Sequence, residues 1–452
     1  MLSAAITERR HSPKSSARMS NLHAFAASWL GETFDAMDAM IYFIVLYPCL
    51  AELLKTQDAT AIGWHGAIIL AIFMIGWSLG SVGFGIFADK FGRRMAMTTS
   101  ILLYAIGSAL CATSQDWTHL AFYRFLVGCG IGGEISIGTV LLSEAWQGKG
   151  RIWAMCLMQS SFCTGCLLTG AFNLSVGAGG WRWLFLIGII PALVAFYIRS
   201  QLSEPKAFEA IKEYRKKLAG KPKEDLSKRE REMVESPMVP LLKGTNLRKL
   251  ILATTLCMSA IVGYWAAISW MPAWINQLTG TEAVTERSAA TTLMSIGGIL
   301  VCFICPTLTA MLGRRAMFLI GFAGSLASVL LMYLGIHAYG NALLAAAFAV
   351  GVFSSIPFII VSFYIPELFE THVLGTASGI SWSLGRIVAA MAGLLTGPFI
   401  AWFGGSYACA ASCVATIYLA GIAASLFVRE PKQLTTSEVT SLDGHACTAK
   451  LP

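Results

Sequence analysis

The stretch GIFADKFGRR, from Gly85 to Arg94, is a short charged segment between two long apolar runs. The runs on either side are about 20 residues long, which is enough for a helix to cross roughly 30 Å of hydrocarbon. Because no water is present in that layer, a spanning segment must satisfy its own backbone hydrogen bonds. The segment therefore predicts a tight loop between two membrane-spanning helices.

The composition extends this prediction to the whole chain. Of the 452 residues, 56% are hydrophobic and 13% are charged, and the mean hydropathy is +0.65, whereas about 25% of the residues in a typical soluble domain are charged. Hydropathy predicts an all-α polytopic membrane protein with twelve spans. The predicted spans are residues 24–50, 63–88, 95–113, 118–142, 152–175, 181–199, 249–277, 287–310, 316–337, 342–365, 373–402 and 407–428.

The basic residues predict the orientation of these spans. With the N-terminus inside, 28 of the 33 Lys and Arg residues fall on the cytoplasmic side, and only Lys55, Arg182 and Arg287 fall in outer loops. Positively charged loops stay on the cytoplasmic side, so both termini are expected on the cytoplasmic side of a cell inner membrane. Contact with the lipid bilayer explains the net charge of +8, and no nucleic-acid partner is expected.

An internal repeat divides the chain into two halves. Gly92-Arg93-Arg94 recurs 221 residues later as Gly313-Arg314-Arg315. Two further pairs keep nearly this offset, Glu144 with Glu367 and Glu204-Pro205-Lys206 with Glu430-Pro431-Lys432. The repeat predicts two pseudo-symmetric six-helix bundles. The expected units are an N-terminal tail (1–23), a first bundle (24–200), a central loop with an amphipathic helix (201–247), a second bundle (248–428) and a C-terminal tail (429–452).

These landmarks resemble the major facilitator superfamily. Its G-x-x-x-D-[RK]-x-G-R-[RK] hallmark between the second and third spans is matched in full from Gly85 to Arg94. A second pattern, shared by sugar porters and related metabolite symporters, runs from Leu126 to Arg151 and departs at Cys129. The resemblance covers residues 20–432 and implies the major facilitator fold.

The resemblance implies a cytoplasmic gate built on both copies of the loop. In the first copy, Gly85 and Gly92 frame the turn, and Asp89 is placed to accept hydrogen bonds from a helix N-terminus. Arg93 and Arg94 are expected to pair with carboxylates below the opposite half, and Glu144 is a natural partner. Arg314, Arg315 and Glu367 form the second copy, which has Ala310 in place of an aspartate, so a weaker gate is expected there. Plain positive-inside charge remains the alternative.

Two carboxylates in the first span point to proton coupling. Asp35 and Asp38 lie roughly 16 to 21 Å into the span at i, i+3 spacing, so they share one helix face and disfavour each other's ionisation. Ionisable residues at this depth are expensive and usually functional. The pair is similar to the Asp-Gly-x-Asp of aromatic-acid and sialate proton symporters, with Ala36 replacing the glycine. The alternative is a carboxylate pair that only holds helices together.

Two charged residues of the fourth span complete this expectation. Arg124 precedes a series of glycines that permit close helix approach, and the resemblance implies an arginine near the proton site. We expect Arg124 to pair with Asp35 or Asp38. Glu134 lies about 15 Å further toward the cytoplasm and is either a second relay or an anchor between helices.

Arg386 is the main indication of the substrate. It lies near the middle of the eleventh span, where no acidic residue of spans seven to twelve lies at comparable depth. A planar fork of donors suits a carboxylate ligand, and Trp382, four residues earlier on the same face, would stack on a ring of the ligand or shield the ion pair. The alternative is an arginine bound to backbone carbonyls. Gln159, Asn173 and Tyr264 are further candidates for lining a binding cavity.

The sequence thus predicts a secondary transporter that takes up a small organic carboxylate with protons by alternating access. It contains neither a nucleotide-binding loop nor an enzyme signature, and the stretch 160–173 lacks the proline of drug-antiporter motifs. The twelve cysteines show no metal-ligand spacing. We expect no cofactor besides the coupling proton, no metal, and a monomer. The alternatives are a sugar or polyol porter and a non-transporting membrane sensor.

Overall fold

The computed structural model describes residues 13–146, 149–176, 180–200, 202, 204–218, 226–227, 230, 235–280, 284–394, 399–400 and 402–430. This part of the chain is helical and contains no β-strand. The first half and the central loop comprise α1 (Pro13–Leu53), α2 (Ala59–Phe91), α3 (Arg93–Ala112), α4 (Trp117–Ala145), α5 (Lys149–Met158), α6 (Ser160–Val176), α7 (Trp181–Ile187), α8 (Ile190–Ser200), α9 (Lys206–Leu218) and α10 (Met238–Leu241). The second half comprises α11 (Gly244–Thr279), α12 (Val284–Gly335), α13 (Asn341–Leu368), α14 (Leu374–Leu394), α15 (Tyr407–Ala415) and α16 (Ile417–Ser425).

These helices account for the twelve predicted spans. Within the described residues, eight stretches of helix are long and apolar enough to cross a membrane, and the bent α1 raises that number to nine. Helix α12 supplies two of the spans, because its backbone turns at Gly313. The sixth span consists of α7 and α8, and the eleventh span contains α14. The predicted fold of two six-helix bundles is confirmed.

Glycines allow the helices of the first half to pack backbone against backbone. An added Cβ at Gly128 or Gly132 of α4 would overlap with the backbone carbonyl oxygens of Phe73 or Trp77 in α2. The close approach that the glycine series predicted is therefore present.

The two halves contact each other through α2 and α14. Ser383 donates a hydrogen bond to the Ser78 carbonyl at 2.8 Å, and an added Cβ at Gly379 would overlap with the Ser81 carbonyl oxygen. Further along, Gly85 and Gly375 lie against each other. Small side chains thus bring α2 and α14 together toward the end of the molecule that carries the loops 92–94 and 313–315. We call this end the arginine-loop side.

We expect Gly80→Ala in α2 to destabilise the first bundle, because the added methyl would overlap with the Cys129 carbonyl oxygen in α4. Overpacking of this kind costs about 1–3 kcal/mol, which thermal unfolding of the detergent-solubilised protein will register as a lower midpoint. Gly83→Ala is the matched control, since nothing lies within 4 Å of its added Cβ. Equal midpoints for the two variants would contradict the tight α2–α4 packing.

Candidate functional site

A cavity lies between the two halves. It spans about 730 Å³ of atom-free space, part of which is open to solvent. Its lining is mostly aromatic and apolar, and two charged residues, Glu32 and Arg386, face into it. The lining residues are Glu32, Trp77, Ile135, Gln159, Phe162, Cys163, Ile261, Tyr264, Trp265, Gly298, Cys302, Ser355, Phe358, Ile359, Trp382 and Arg386. Such a cavity suits a small, largely apolar ligand with a few polar anchor points.

Arg386 is held on one wall of this cavity by aromatic rings. Its guanidinium carbon lies 4.6 Å from the centroid of the Trp77 ring and 5.7 Å from that of Trp382. Its Nη1 donates to the Ser81 hydroxyl at 3.2 Å. The side chain is 6% exposed, so the charge is almost fully removed from bulk water. A guanidinium in such an environment attracts an anion strongly.

Three of the other predicted cavity residues lie where they were expected. Trp382, Gln159 and Tyr264 all line the cavity together with Arg386. Trp382 is buried against Phe358, with ring centroids 5.9 Å apart. The side chain of Asn173 lies outside the described residues.

Sequence reasoning missed Glu32, the acidic residue of the cavity. It lies in α1, one turn before Asp35, and is 5% exposed. The second half has no acidic residue at the depth of Arg386, whereas Glu32 comes from the first half. The sequence could have identified Glu32, because an acidic residue within a membrane span costs free energy and usually has a function.

Asp38 pairs with Arg124, as the sequence predicted for one of the two aspartates. The Arg124 Nη1 lies 3.0 Å from Asp38 Oδ2, and both side chains are buried. Ser108 donates a second hydrogen bond to Asp38. The Arg124 guanidinium also lies 4.7 Å from the ring centroid of Phe185. The pair is therefore an ionic contact in the interior of the first bundle.

Glu134 and Arg199 form a second buried ion pair in the same bundle. Ser100 of α3 also donates to Glu134, at 3.4 Å, so the carboxylate connects α3, α4 and α8. The sequence had placed Arg199 at the end of a span and counted it as a loop charge. It is instead fully buried, at 1% exposure. Of the two readings of Glu134, this geometry favours the anchor between helices.

Asp35 is close enough to both pairs to interact with Arg199 and with Asp38. Its carboxylate is buried beside the Tyr104 hydroxyl and the Arg199 guanidinium. Neither of its oxygens makes a hydrogen bond of good geometry with any residue of the described chain.

The first, fourth and eleventh spans all line this cavity, through Glu32, Ile135 and Arg386, but the charged residues predicted for proton coupling do not. Asp35, Asp38, Arg124 and Glu134 are absent from the lining of the described cavity. Successive helical residues are rotated by about 100°, so Asp38 is turned about 120° away from Glu32 around α1. Glu32 consequently faces the cavity, and Asp38 faces the interior of its own bundle.

On the arginine-loop side, Asp89 caps a helix of the opposite half. It accepts hydrogen bonds from the backbone N–H groups of Gly375 and Thr376 at 3.0 and 2.8 Å, and from the Thr376 hydroxyl at 2.8 Å. These groups are at the N-terminus of α14, where free N–H groups and the helix dipole favour a carboxylate. The predicted interaction with a helix N-terminus is therefore present, and it joins the two halves.

Arg93 pairs with the carboxylate that was predicted as its natural partner, but that carboxylate does not lie in the opposite half. It makes two hydrogen bonds of 3.0 and 2.9 Å to Glu144, which belongs to its own half. Its contact with the opposite half is a 2.8 Å hydrogen bond to the Thr371 carbonyl. Arg94 donates to the Ser200 carbonyl at 2.5 Å, again within the first half. Glu144 therefore holds Arg93 in place within the first half. The contacts with the opposite half are made by Asp89 and Arg93.

The second copy of the loop repeats this arrangement. Arg314 lies 3.0 Å from Glu367, and the Arg315 N–H donates to Glu430 at 2.8 Å, as the Arg94 N–H does to Glu204 at 3.0 Å. Both glycines have positive φ, 115° at Gly92 and 83° at Gly313. An added Cβ there would collide with Glu204 or Glu430. The positive φ at both positions is what requires glycine, because other L-residues rarely adopt it.

The amphipathic helix of the central loop, α9, packs against the contacts between the halves on the arginine-loop side. In α9, Arg215 donates to the Asp89 carbonyl at 2.6 Å and to the His372 carbonyl at 3.4 Å, so it contacts both halves. The Phe208 ring centroid lies 4.5 Å from the Arg93 guanidinium. Burial lowers the pKa of Arg215 from its ordinary value, and the charge of Asp89 opposes that shift. The helix therefore packs on the protein at the junction of the halves.

We expect Asp89→Ala to free the N-terminus of α14, because the mutation removes the acceptor of the Gly375 and Thr376 amides. Hydrogen exchange followed by mass spectrometry should show exchange of peptides covering these two amides accelerated by about tenfold, as loss of roughly 1.4 kcal/mol of protection requires.

Asp116→Ala is the control, since Asp116 caps α4 from within its own half. It should accelerate exchange only in the first turn of α4. Unchanged exchange at α14 in the Asp89 variant would contradict the bridging role of this carboxylate.

Comparison with known proteins agrees with this architecture. A family model described as Major Facilitator Superfamily matches residues 28–381. A putative metabolite transport protein of Haemophilus influenzae is 28% identical over 407 residues, which cover 90% of this chain and 95% of that protein. The cis,cis-muconate transport protein of Acinetobacter baylyi is 26% identical over 414 residues, which cover 90% and 94%.

A solved structure, the proton:xylose symporter XylE bound to 6-bromo-6-deoxy-D-glucose, is similar in fold. Its TM-score is 0.74 at 18% sequence identity, and the match covers 94% of this chain and 99% of that one. Identity at this level supports the fold of the chain and carries no information about its substrate.

Proposed function

This chain belongs to the major facilitator superfamily and is a multi-pass membrane transporter rather than an enzyme, and we propose that it takes up a small organic carboxylate together with protons. Transport is by alternating access, in which the two bundles rock about the central cavity. As the charge distribution predicts, the arginine-loop side is the cytoplasmic side of a cell inner membrane. The protein works as a monomer, with the proton as its coupling ion.

The observation that carries the carboxylate assignment is the position of Arg386. This guanidinium is almost fully desolvated and faces a cavity between the halves. No carboxylate of the described residues lies within 4 Å of it, in contrast to Arg93, Arg124 and Arg199. A buried cation without a paired anion leaves a substrate carboxylate to complete the site.

A relative supports the same class of substrate. The similar Acinetobacter baylyi protein is a cis,cis-muconate transport protein, and muconate is the anion of a carboxylic acid. The aromatic lining, which includes Trp77, Trp382 and Phe358, suits a flat or unsaturated carbon skeleton.

The ionic network of the first bundle supports proton coupling. Asp35, Asp38 and Arg124 are buried where an unpaired charge is costly, so protonation of an aspartate alters what Arg124 can bind. We assign Asp38 and Arg124 as the pair whose separation accompanies proton uptake, with Asp35 as their neighbour. Glu134 and Arg199 hold α4 and α8 in position around them.

The contacts on the arginine-loop side supply one gate of the cycle. Asp89 and Arg93 reach across to α14 and Thr371, and Arg215 contacts both halves. Opening toward this side requires all three contacts to break. Arg314, Arg315 and Glu367 form the weaker counterpart, since no aspartate precedes them.

We expect Arg386→Lys to raise the KM for carboxylate uptake into proteoliposomes by about tenfold or more, because lysine loses the planar pair of donors. Radiolabelled benzoate and cis,cis-muconate are the test substrates, with an inward proton gradient. Arg182→Lys is the control, since Arg182 is an exposed partner of Glu52.

An unchanged KM for Arg386→Lys would show that this residue is not part of the substrate site. Uptake of neutral sugars alone would establish a sugar porter. The absence of any solute-driven proton movement would instead identify a sensor.

Asp38→Asn should separate exchange from accumulation, because the amide keeps the shape of the side chain but does not exchange a proton. Counterflow between equal pools of substrate should persist, whereas accumulation driven by a proton gradient should be lost. Full accumulation in this variant would place the coupling proton elsewhere.

A further inference from the structure

Glu32 and Arg386 face the same cavity from opposite halves without touching. Glu32 lies in α1 and Arg386 in α14, and both line the cavity. They are close enough to interact electrostatically. Yet within the described residues they form no ion pair at 4 Å or less, and the Oε2 atom of Glu32 has no hydrogen-bond partner. An unpartnered buried carboxylate oxygen in a binding cavity is costly unless a ligand or a proton completes it.

Among the described residues, Arg386 is the cation that acts on Glu32. The Ser161 hydroxyl of α6 lies beside the Glu32 side chain. The remaining titratable groups near it are Asp35 of α1, Cys163 of α6 and Cys302 of α12. Tyr264 of α11 completes the polar lining on the opposite wall. These neighbours are neutral or acidic, so the charge of Glu32 depends on Arg386.

A carboxylate ligand changes this balance. When a substrate anion binds Arg386, the guanidinium is shared between two negative groups in a cavity of low dielectric constant. Two carboxylates that face one cation at short range cannot both remain ionised without a large penalty. One proton from solvent, added to Glu32, restores neutrality for a substrate with one negative charge and removes one of the two excess charges for a dianion, without any change in the bonds of the substrate.

We infer that Glu32 binds the proton that enters the cavity together with the substrate anion, and that it is therefore a substrate-site residue. This inference rests on the proposed function, namely that the cavity takes a carboxylate. It assigns different tasks to the acids of α1. Glu32 binds a proton when the anion binds, whereas Asp38 binds its proton in the separate step in which it parts from Arg124.

The same assignment narrows the substrate class. A protonated Glu32 is a hydrogen-bond donor opposite the guanidinium of Arg386. The favoured ligand is then a small planar anion with a carboxylate at one end and an oxygen acceptor, such as a second carboxylate or a carbonyl, at the other. A cationic group at that end would instead bind ionised Glu32 and require no proton.

Calorimetry of the purified protein in detergent tests the inference with cis,cis-muconate and benzoate as probes. Titrations at pH 7.5 and 8.5, in buffers of different ionisation enthalpy, give the number of protons taken up with each anion. For the wild type we expect uptake that approaches one proton per anion at pH 8.5, and a Kd that rises by about tenfold over this interval. For Glu32→Gln we expect no proton uptake and a Kd that changes less than about twofold.

Two further variants sharpen the result. Glu52→Gln makes the same chemical change at the exposed far end of α1 and should retain wild-type proton uptake. Loss of proton uptake in Asp35→Asn, together with its retention in Glu32→Gln, would overturn the assignment. Retention in Glu32→Gln alone would also overturn it, while carboxylate transport would stand. Failure of the wild type to bind either anion would instead contradict the proposed function.

Discussion

Every charge buried in this membrane protein needs a partner, and that constraint organises the structure. In the described part of the chain, these carboxylate–guanidinium pairs lie within a half: Arg93 with Glu144, Arg124 with Asp38, Arg199 with Glu134, and Arg314 with Glu367. Each pair fixes helices of one bundle relative to each other, because breaking it would leave an uncompensated charge in a medium of low dielectric constant. The bundles can therefore move as units.

Contacts between the halves are of another kind. Asp89 binds backbone N–H groups of α14, Arg93 and Arg215 bind carbonyl groups, and small residues of α2 lie against α14. These hydrogen bonds are buried or partly buried in this structure, but they can be exchanged for bonds to water when the halves separate, at a small net free energy. Strong ionic contacts inside the bundles and exchangeable contacts between them are what a rocking mechanism requires.

The cavity differs from both arrangements, because charged residues of the two halves face each other there without an ion pair. Glu32 and Arg386 bring opposite charges to the boundary between the halves without forming a direct pair. Their compensation depends on what occupies the space between them, so ligand and proton influence how the two bundles fit together. The aromatic rings around Arg386 shield its guanidinium from water and fix its orientation in the absence of a bound anion.

The sequence by itself determined the twelve spans, the duplication and the turn at Gly92, because hydropathy, charge asymmetry and a fixed glycine motif are local properties. It also identified Arg386, since an arginine in the middle of a span is visible without coordinates. Only the tertiary structure decided which charges meet. Glu32 turned out to face Arg386, and Arg199 to neutralise Glu134, because helix rotation and long-range packing place residues from distant spans side by side. A linear pattern carries no information about such contacts until the helices are assembled.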